Sequence, residues 1–190
     1  MPRRRLVTAT LGSVLLLGAC ADGLSRVMAD TPSTAYSPLE FSAAAGGRDL
    51  RTDIYGNPFL MEQAAFNHAV TQLMQNKHFG PQTHFTTTPN ETANPNYRVV
   101  MVFNSSGTVL NTNLCSAAPI PTRPATGEPI RVQAAFCRGG TLMSATGWAP
   151  AVASPEAPTF QRLIADTTFS LFPFRDPNQD DDQGCWMPGC

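Results

Sequence analysis

The run Tyr97-Arg98-Val99-Val100-Met101-Val102-Phe103 does most to restrict the fold of this chain. It is dense in β-branched and aromatic residues and ends at the turn-forming Asn104-Ser105-Ser106-Gly107, so it reads as a strand and a turn. A second strand from Thr108 to about Cys115 would complete a hairpin. Ile130 to Cys137 and Thr141 to Trp148, joined through Arg138-Gly139-Gly140, read as another. The proline-rich Pro119-Ile120-Pro121-Thr122-Arg123-Pro124 connects the two.

Helices flank these strands. Gly56-Asn57-Pro58 is a start signal, with Asn57 placed to cap exposed amides and Pro58 suited to the first helical position. The predicted helix runs from about Pro58 to Lys77, with Phe59, Phe66, Ala69, Val70 and Leu73 on one face. Gly80-Pro81 ends it, and Thr86 to Pro95 is loop by composition. Phe160, Leu163, Ile164, Thr167 and Leu171 repeat at helical spacing and predict a second amphipathic helix over Pro158–Phe172, stopped by Pro173. Leu39–Ala43 and Asp49–Tyr55 read as short strands or extended loop on either side of Gly46-Gly47. Together these elements predict an α+β fold, a two-layer sandwich in which an antiparallel sheet of about four strands carries two amphipathic helices on one face.

A length of 190 residues sets a prior of one domain. Charged residues make up only 14% of the chain while hydrophobic residues reach 42%, so a core is within reach and low charge is the departure from average.

The N-terminus combines Arg3-Arg4-Arg5, an apolar stretch from Leu6 to Leu17, and small residues before Cys20. That is the layout of a signal peptide, and the apolar run is shorter than the ~20 residues of a spanning helix. Leu17-Gly18-Ala19-Cys20 resembles the lipobox of bacterial lipoprotein precursors. The resemblance implies a diacylglycerol thioether on Cys20, cleavage before it, and acylation of the new amino terminus. Such a set of chains holds a membrane stably, whereas one chain does so only marginally. Ala21 stands where these lipoproteins carry an aspartate for inner-membrane retention, which implies the periplasmic face of the outer membrane. Arg3-Arg4-x-Leu6-Val7 also weakly resembles a twin-arginine export signal. Over roughly residues 56–175 the body loosely resembles small lipoproteins of Gram-negative bacteria with Gly56-Asn57-Pro58-Phe59 before a helix, a Tyr97-Arg98-Val99-Val100 strand and Ala134-Ala135-Phe136-Cys137. No activity attaches to that group.

Cleavage before Cys20 would remove three arginines and leave ten basic against 14 acidic side chains, a net charge of about −4. Lys77 is the single lysine, so the clustered positive charge of a nucleic-acid binder is missing. With Cys20 assigned to lipid, Cys115, Cys137, Cys185 and Cys190 remain, an even set suited to an oxidising envelope. Proximity favours Cys115 with Cys137 and Cys185 with Cys190 among the three pairings. The alternative is a reactive pair in Cys185-Trp186-Met187-Pro188-Gly189-Cys190, although redox pairs use the tighter Cys-x-x-Cys.

Candidate chemistry is sparse. His68, His78 and His84 bracket the end of the first predicted helix, but His68 and His78 would lie about 80° apart around its axis and about 15 Å apart along it. No His-x-x-x-His pair is present, so no metal ligand is assigned. The acidic tail from Asp176 to Gly184 alternates oxygen donors as a calcium loop does, yet has Asp181 and Met187 where such loops need glycine and glutamate. Ser105, Ser106, Ser144 and Ser170 fall in no nucleophile motif, and Gly46-Gly47 and Gly139-Gly140 form no phosphate loop. Glu62, Glu91, Glu128, Glu156 and Asp166 show no catalytic pairing. Trp148 and Trp186 with Phe172 and Phe174 are either a binding patch or the closing edge of a core.

These readings divide the chain into a signal peptide (1–19), a lipidated N-terminus and flexible tether (20–36), one α+β domain (37–175) and an acidic Cys-containing tail (176–190). The expected protein is a lipid-anchored periplasmic lipoprotein, non-catalytic and without a cofactor, serving as a binding, structural or envelope-assembly accessory. Its expected partners are the membrane, through the lipid, and an envelope protein. The alternative is a metal-handling or thiol-redox envelope protein using the C-terminal cysteines, the acidic tail or the histidines.

Overall fold

The structure, a computed structural model, describes residues 23–29, 35–107, 109–116, 120–123 and 127–176. Strands β1 (Arg26–Ala29), β2 (Asp49–Tyr55), β3 (His84–Thr86), β4 (Tyr97–Phe103), β5 (Ile130–Arg138) and β6 (Gly140–Ala149) form one sheet, and helices α1 (Pro38–Ala45), α2 (Gln63–Met74) and α3 (Pro158–Leu171) complete the fold. Strand order is β1-β6-β5-β4-β2-β3. The β1, β6, β5 and β4 contacts are antiparallel, while β2 runs parallel to both β4 and β3. The α+β class therefore stands, with a mixed six-stranded sheet and three helices in place of four antiparallel strands and two helices.

The two faces of the sheet are sorted by the period-2 alternation of its strands. Val99, Met101 and Phe103 of β4 and Val132, Ala134 and Phe136 of β5 share one core with the buried residues of all three helices. That core is dense in rings: Phe41 meets Phe172 at 4.2 Å, Phe66 meets Phe103 at 5.0 Å and Phe59 meets Phe160 at 5.0 Å. The alternate residues Val100, Val102, Ala135 and Cys137 form a second, smaller core on the outer face with Leu114 and Cys115. A strand that is apolar on both faces needs cover on both, and Val109, Leu114, Cys115 and Ile120 supply it on the outer side.

That cover replaces the expected first hairpin. Residues 109–115 form no strand beside β4 and contain a 3-10 turn at Asn111–Asn113. The chain turns out of the sheet at Asn104, whose φ of 48° is left-handed. Asn104 then locks onto β5, because the Arg131 amide donates to its Oδ1 at 2.8 Å and its own amide donates to the Arg131 carbonyl at 2.9 Å. The place beside β4 belongs to β5, which pairs along the whole length of β4. The second hairpin, β5 with β6, forms as expected.

Helix α2 begins at Gln63, five residues after the expected start. Asn57 is used differently from a cap: its Oδ1 accepts from the Phe59 amide at 2.9 Å and its Nδ2 donates to the Met61 carbonyl at 2.8 Å, which holds a turn ahead of the helix. Helix α1 replaces the extended reading of Leu39–Ala43. Ser37 caps it by accepting from the Glu40 amide at 3.1 Å, and Pro38 occupies its first turn. Residues 26–29, which composition places in the tether, are the edge strand β1, with Arg26 opposite Trp148 and Met28 opposite Thr146.

Gly147 lets α3 approach β6. A Cβ there would lie 2.6 Å from Leu163 Cδ1 and 2.9 Å from Val132 Cγ1. Gly56 has a φ of +78°, and a Cβ on it would meet the Phe103 carbonyl oxygen at 2.4 Å.

Candidate binding surface

Cys115 and Cys137 are disulfide-bonded, with Cα atoms 5.7 Å apart. The bond fastens the outer-face segment to β5. Cys20, Cys185, Cys190 and Trp186 lie outside the described residues, as does the acidic tail beyond Asp176. The three histidines do not converge. His68 is exposed on α2, and His78 is wedged edge-on against Phe41 and Phe85 with its Nε2 at 3.0 Å from the Pro81 carbonyl. Among the described residues no group of three or more His, Cys, Asp or Glu is placed to hold a metal ion.

His84 pairs with Asp49 at 2.9 Å, a geometry that could orient an imidazole for acid–base work. The surroundings make it a clasp. The other Asp49 oxygen accepts from the Asn90 amide at 2.9 Å, and the Asp49 amide donates to the Thr92 hydroxyl at 3.0 Å. The Thr92 hydroxyl is itself spent on Asn90 Oδ1 at 2.6 Å. Burial alone would raise the Asp49 carboxyl, but the Asn90 amide and His84 hold it below the usual carboxylate range. The result ties β2, β3 and the 88–96 loop together.

The other polar clusters are similarly structural. Glu40 Oε1 accepts from the Tyr97 hydroxyl at 2.6 Å and from Arg138 Nη1 at 2.5 Å, pinning α1 over β4 and β5. Its hydrogen bond, followed by burial, raises the Tyr97 phenol. Arg98 donates to the Cys115 carbonyl at 2.6 Å and lies 3.5 Å from Asp53. Ser105 donates to Gln133 and Ser170 to the Asp166 carbonyl, so neither is poised beside a base.

Apolar surface is the more informative feature. Trp148, Phe172 and Phe174, read as either a binding patch or the closing edge of a core, are divided by the fold. Phe172 is fully buried against Phe41, Phe85 and Phe136, Trp148 lies on the outer face of the sheet, and Phe174 is 67% exposed on the helical side. Phe174 has a partner that the sequence reading missed: Phe79, at 5.3 Å between centroids, which also meets Phe169 at 5.5 Å. Phe79 and Phe169 are about half exposed, at 47% and 50%.

Phe169 and Phe79 each have a local reason to face outward. Thr167, Thr168 and Leu171 turn into the core, which rotates Phe169 to the solvent side of α3. Phe79 precedes Gly80, whose φ of +106° turns the chain back beneath it. A groove of about 350 Å³ runs beside these rings, lined in part by Lys77, Phe79, Asp166 and Phe169. Ring contacts contribute about 0.5–1.5 kcal/mol each, so the cluster is held together but remains wetted. An apolar centre with one cation and one carboxylate at its edge is the chemistry of a docking surface.

No known family model matches the chain, and no curated protein is similar to it. Among solved structures, a PelC dodecamer from Paraburkholderia phytofirmans aligns with a TM-score of 0.41 and 14% identity, covering 77% of this chain and 97% of that one. At this score the likeness supports no argument about the present chain. Among the described residues no helix is long and apolar enough to cross a membrane.

Proposed function

We propose that this protein is a lipid-anchored lipoprotein of the bacterial envelope, attached through Cys20 to the periplasmic face of the outer membrane, that acts as a non-catalytic binding accessory. The observation that supports binding over catalysis is the exposed Phe79, Phe169 and Phe174 cluster, which contrasts with polar side chains committed to structural partners. Its occupant is an envelope protein presenting an apolar segment with neighbouring charge, matched to Lys77 and Asp166. The anchor is supported by Leu17-Gly18-Ala19-Cys20 after a cationic and apolar leader.

Two measurements test this reading. Intact mass of the detergent-extracted protein, with thiol labelling before and after reduction, is expected to show a lipid adduct on Cys20 and no label without reduction. Free or metal-protected Cys185 and Cys190 would favour thiol-redox or metal handling. A photo-crosslinking residue at position 169 is expected to give a discrete protein adduct in cells that the same label at exposed Glu91 does not give. Equal labelling at both positions would remove the docking surface from the proposal.

A further inference from the structure

The outer face of the sheet at its β1 edge carries a second apolar surface. Leu24 is 67% exposed, Met28 71% and Trp148 38%. With Arg26, Thr146 and Gly147 they line a groove of about 680 Å³. Register places Trp148 opposite Arg26 on β1 and opposite Arg131 on β5, so one row across three strands reads Arg26, Trp148, Arg131. The next outward row is Met28, Thr146 and Gln133. Antiparallel partners share a face, and the helices cover the opposite one.

Three features of this surface point to the same occupant. The first is charge. Strands β1, β5 and β6 contain no aspartate or glutamate, and among the described residues neither Arg26 nor Arg131 has an acidic partner. Among the described residues this row is cationic, on a chain of net negative charge. The second is residue type: an indole between two long cationic side chains, with methionine and leucine alongside, suits a boundary where phosphates meet hydrocarbon. There tryptophan sits at headgroup level while arginine buries its stem and extends its charge toward phosphate. The third is reach. Leu24 follows Cys20 by four residues, which at about 3.3–3.6 Å per residue keeps it within roughly 14 Å of the lipidated position. Gly23 lies against Pro150, where a Cβ would come within 2.4 Å of its ring, so the domain is packed from that residue onward.

We propose that Leu24, Met28 and Trp148, flanked by Arg26 and Arg131, form a phospholipid-contacting surface that seats the domain on the bilayer holding its anchor. The inference rests on the lipid-anchor reading above and adds orientation to it. With the sheet on the membrane, the helical layer and its Phe79, Phe169 and Phe174 cluster face away from it. A second copy of the chain is a poorer occupant, because a two-fold contact through this face would bring arginine rows against each other without acidic complements.

The test uses the full lipidated protein with Trp186→Phe, which leaves Trp148 as the only tryptophan. It is reconstituted in phosphatidylethanolamine–phosphatidylglycerol vesicles with or without acyl-chain bromination. Trp148 is expected to lose about half its emission to the brominated lipid, as an indole at the acyl boundary would. Adding Leu24→Asp and Met28→Asp should abolish that quenching while the protein still floats with the vesicles. Unquenched Trp148 in protein that floats overturns the surface and leaves the anchor standing. Quenching that survives both aspartates also overturns it. A mass without lipid on Cys20 overturns the anchor reading, and the surface with it.

Discussion

Replacing both Cys115 and Cys137 with alanine probes how the outer face of the sheet is held. The bond spans a sequence separation of 22 residues and joins two buried positions, Cys115 at 4% and Cys137 at 0% exposure. Loop-closure entropy for a ring of this size is worth about 3 kcal/mol to the folded state. For a domain near 150 residues, each kcal/mol moves the midpoint by roughly 2–4 °C, so a loss of roughly 6–12 °C is expected. Differential scanning calorimetry of the mature protein, wild type against the double variant, measures it. Hydrogen exchange should localise the effect, with the Asn113 and Leu114 amides, bonded to Leu110 and Asn111, exchanging faster. A midpoint change below about 2 °C would refute the entropic argument. It would mean that the segment is held by its apolar packing on the outer face and by its polar contacts, without help from the bond. Those polar contacts include Arg98 to the Cys115 carbonyl at 2.6 Å, Gln133 to the Val109 carbonyl at 2.8 Å and to Asn111 Oδ1 at 2.9 Å, and Asn111 Nδ2 to the Thr146 hydroxyl at 3.2 Å.

Three further outcomes are expected. Gly147→Ala should destabilise by about 1–3 kcal/mol, because the new methyl must displace Leu163 and Val132 in a packed layer; urea unfolding at neutral pH reads this directly. Asp49 has a folded-state pKa below its unfolded value, so its contribution is fully present above the ordinary aspartate range near ~3.9 and is lost as pH falls through the depressed value. The urea midpoint should therefore drop more between pH ~6 and pH ~3 for wild type than for Asp49→Asn, and equal drops would dismiss the clasp as a pH-dependent element. Phe169→Ala should change stability by less than about 1 kcal/mol, because the ring is half exposed. The same change should abolish a position-79 photo-crosslink to an envelope partner, and an undiminished crosslink would remove Phe169 from the docking surface.

Elements with a strong local pattern were legible without the fold. The α3 stripe of Phe160, Leu163, Ile164, Thr167 and Leu171 has an unbroken helical period and a proline after it, so its range is recovered almost to the residue. The β5–β6 hairpin is similarly local, since both strands flank one short glycine turn. Helix α1 also had a local signal, Ser37-Pro38 followed by Glu40, which the extended reading of Leu39–Ala43 passed over. In the helix Glu40 turns away from the cap to Tyr97 and Arg138, 57 and 98 residues distant. No short window holds that information.

Strands β1 and β3 lie beyond sequence reading for a related reason. They have four and three residues, and their strand character comes from hydrogen bonds to β6 and β2. The departure of the chain from the sheet at Asn104 was decided by competition: residues 108–115 and β5 both suit the place beside β4, and β5 offers the longer apolar register. The sequence alone determined the composition of each segment and favoured, by proximity, the pairing of Cys115 with Cys137 that the fold contains. It did not determine exposure. Whether Phe172, Phe174 or Trp148 faces water depends on which element lies over it, and burial is a property of neighbours distant along the chain. The Phe79, Phe169 and Phe174 cluster and the Arg26, Trp148 and Arg131 row therefore exist only once helices and strands have been brought together.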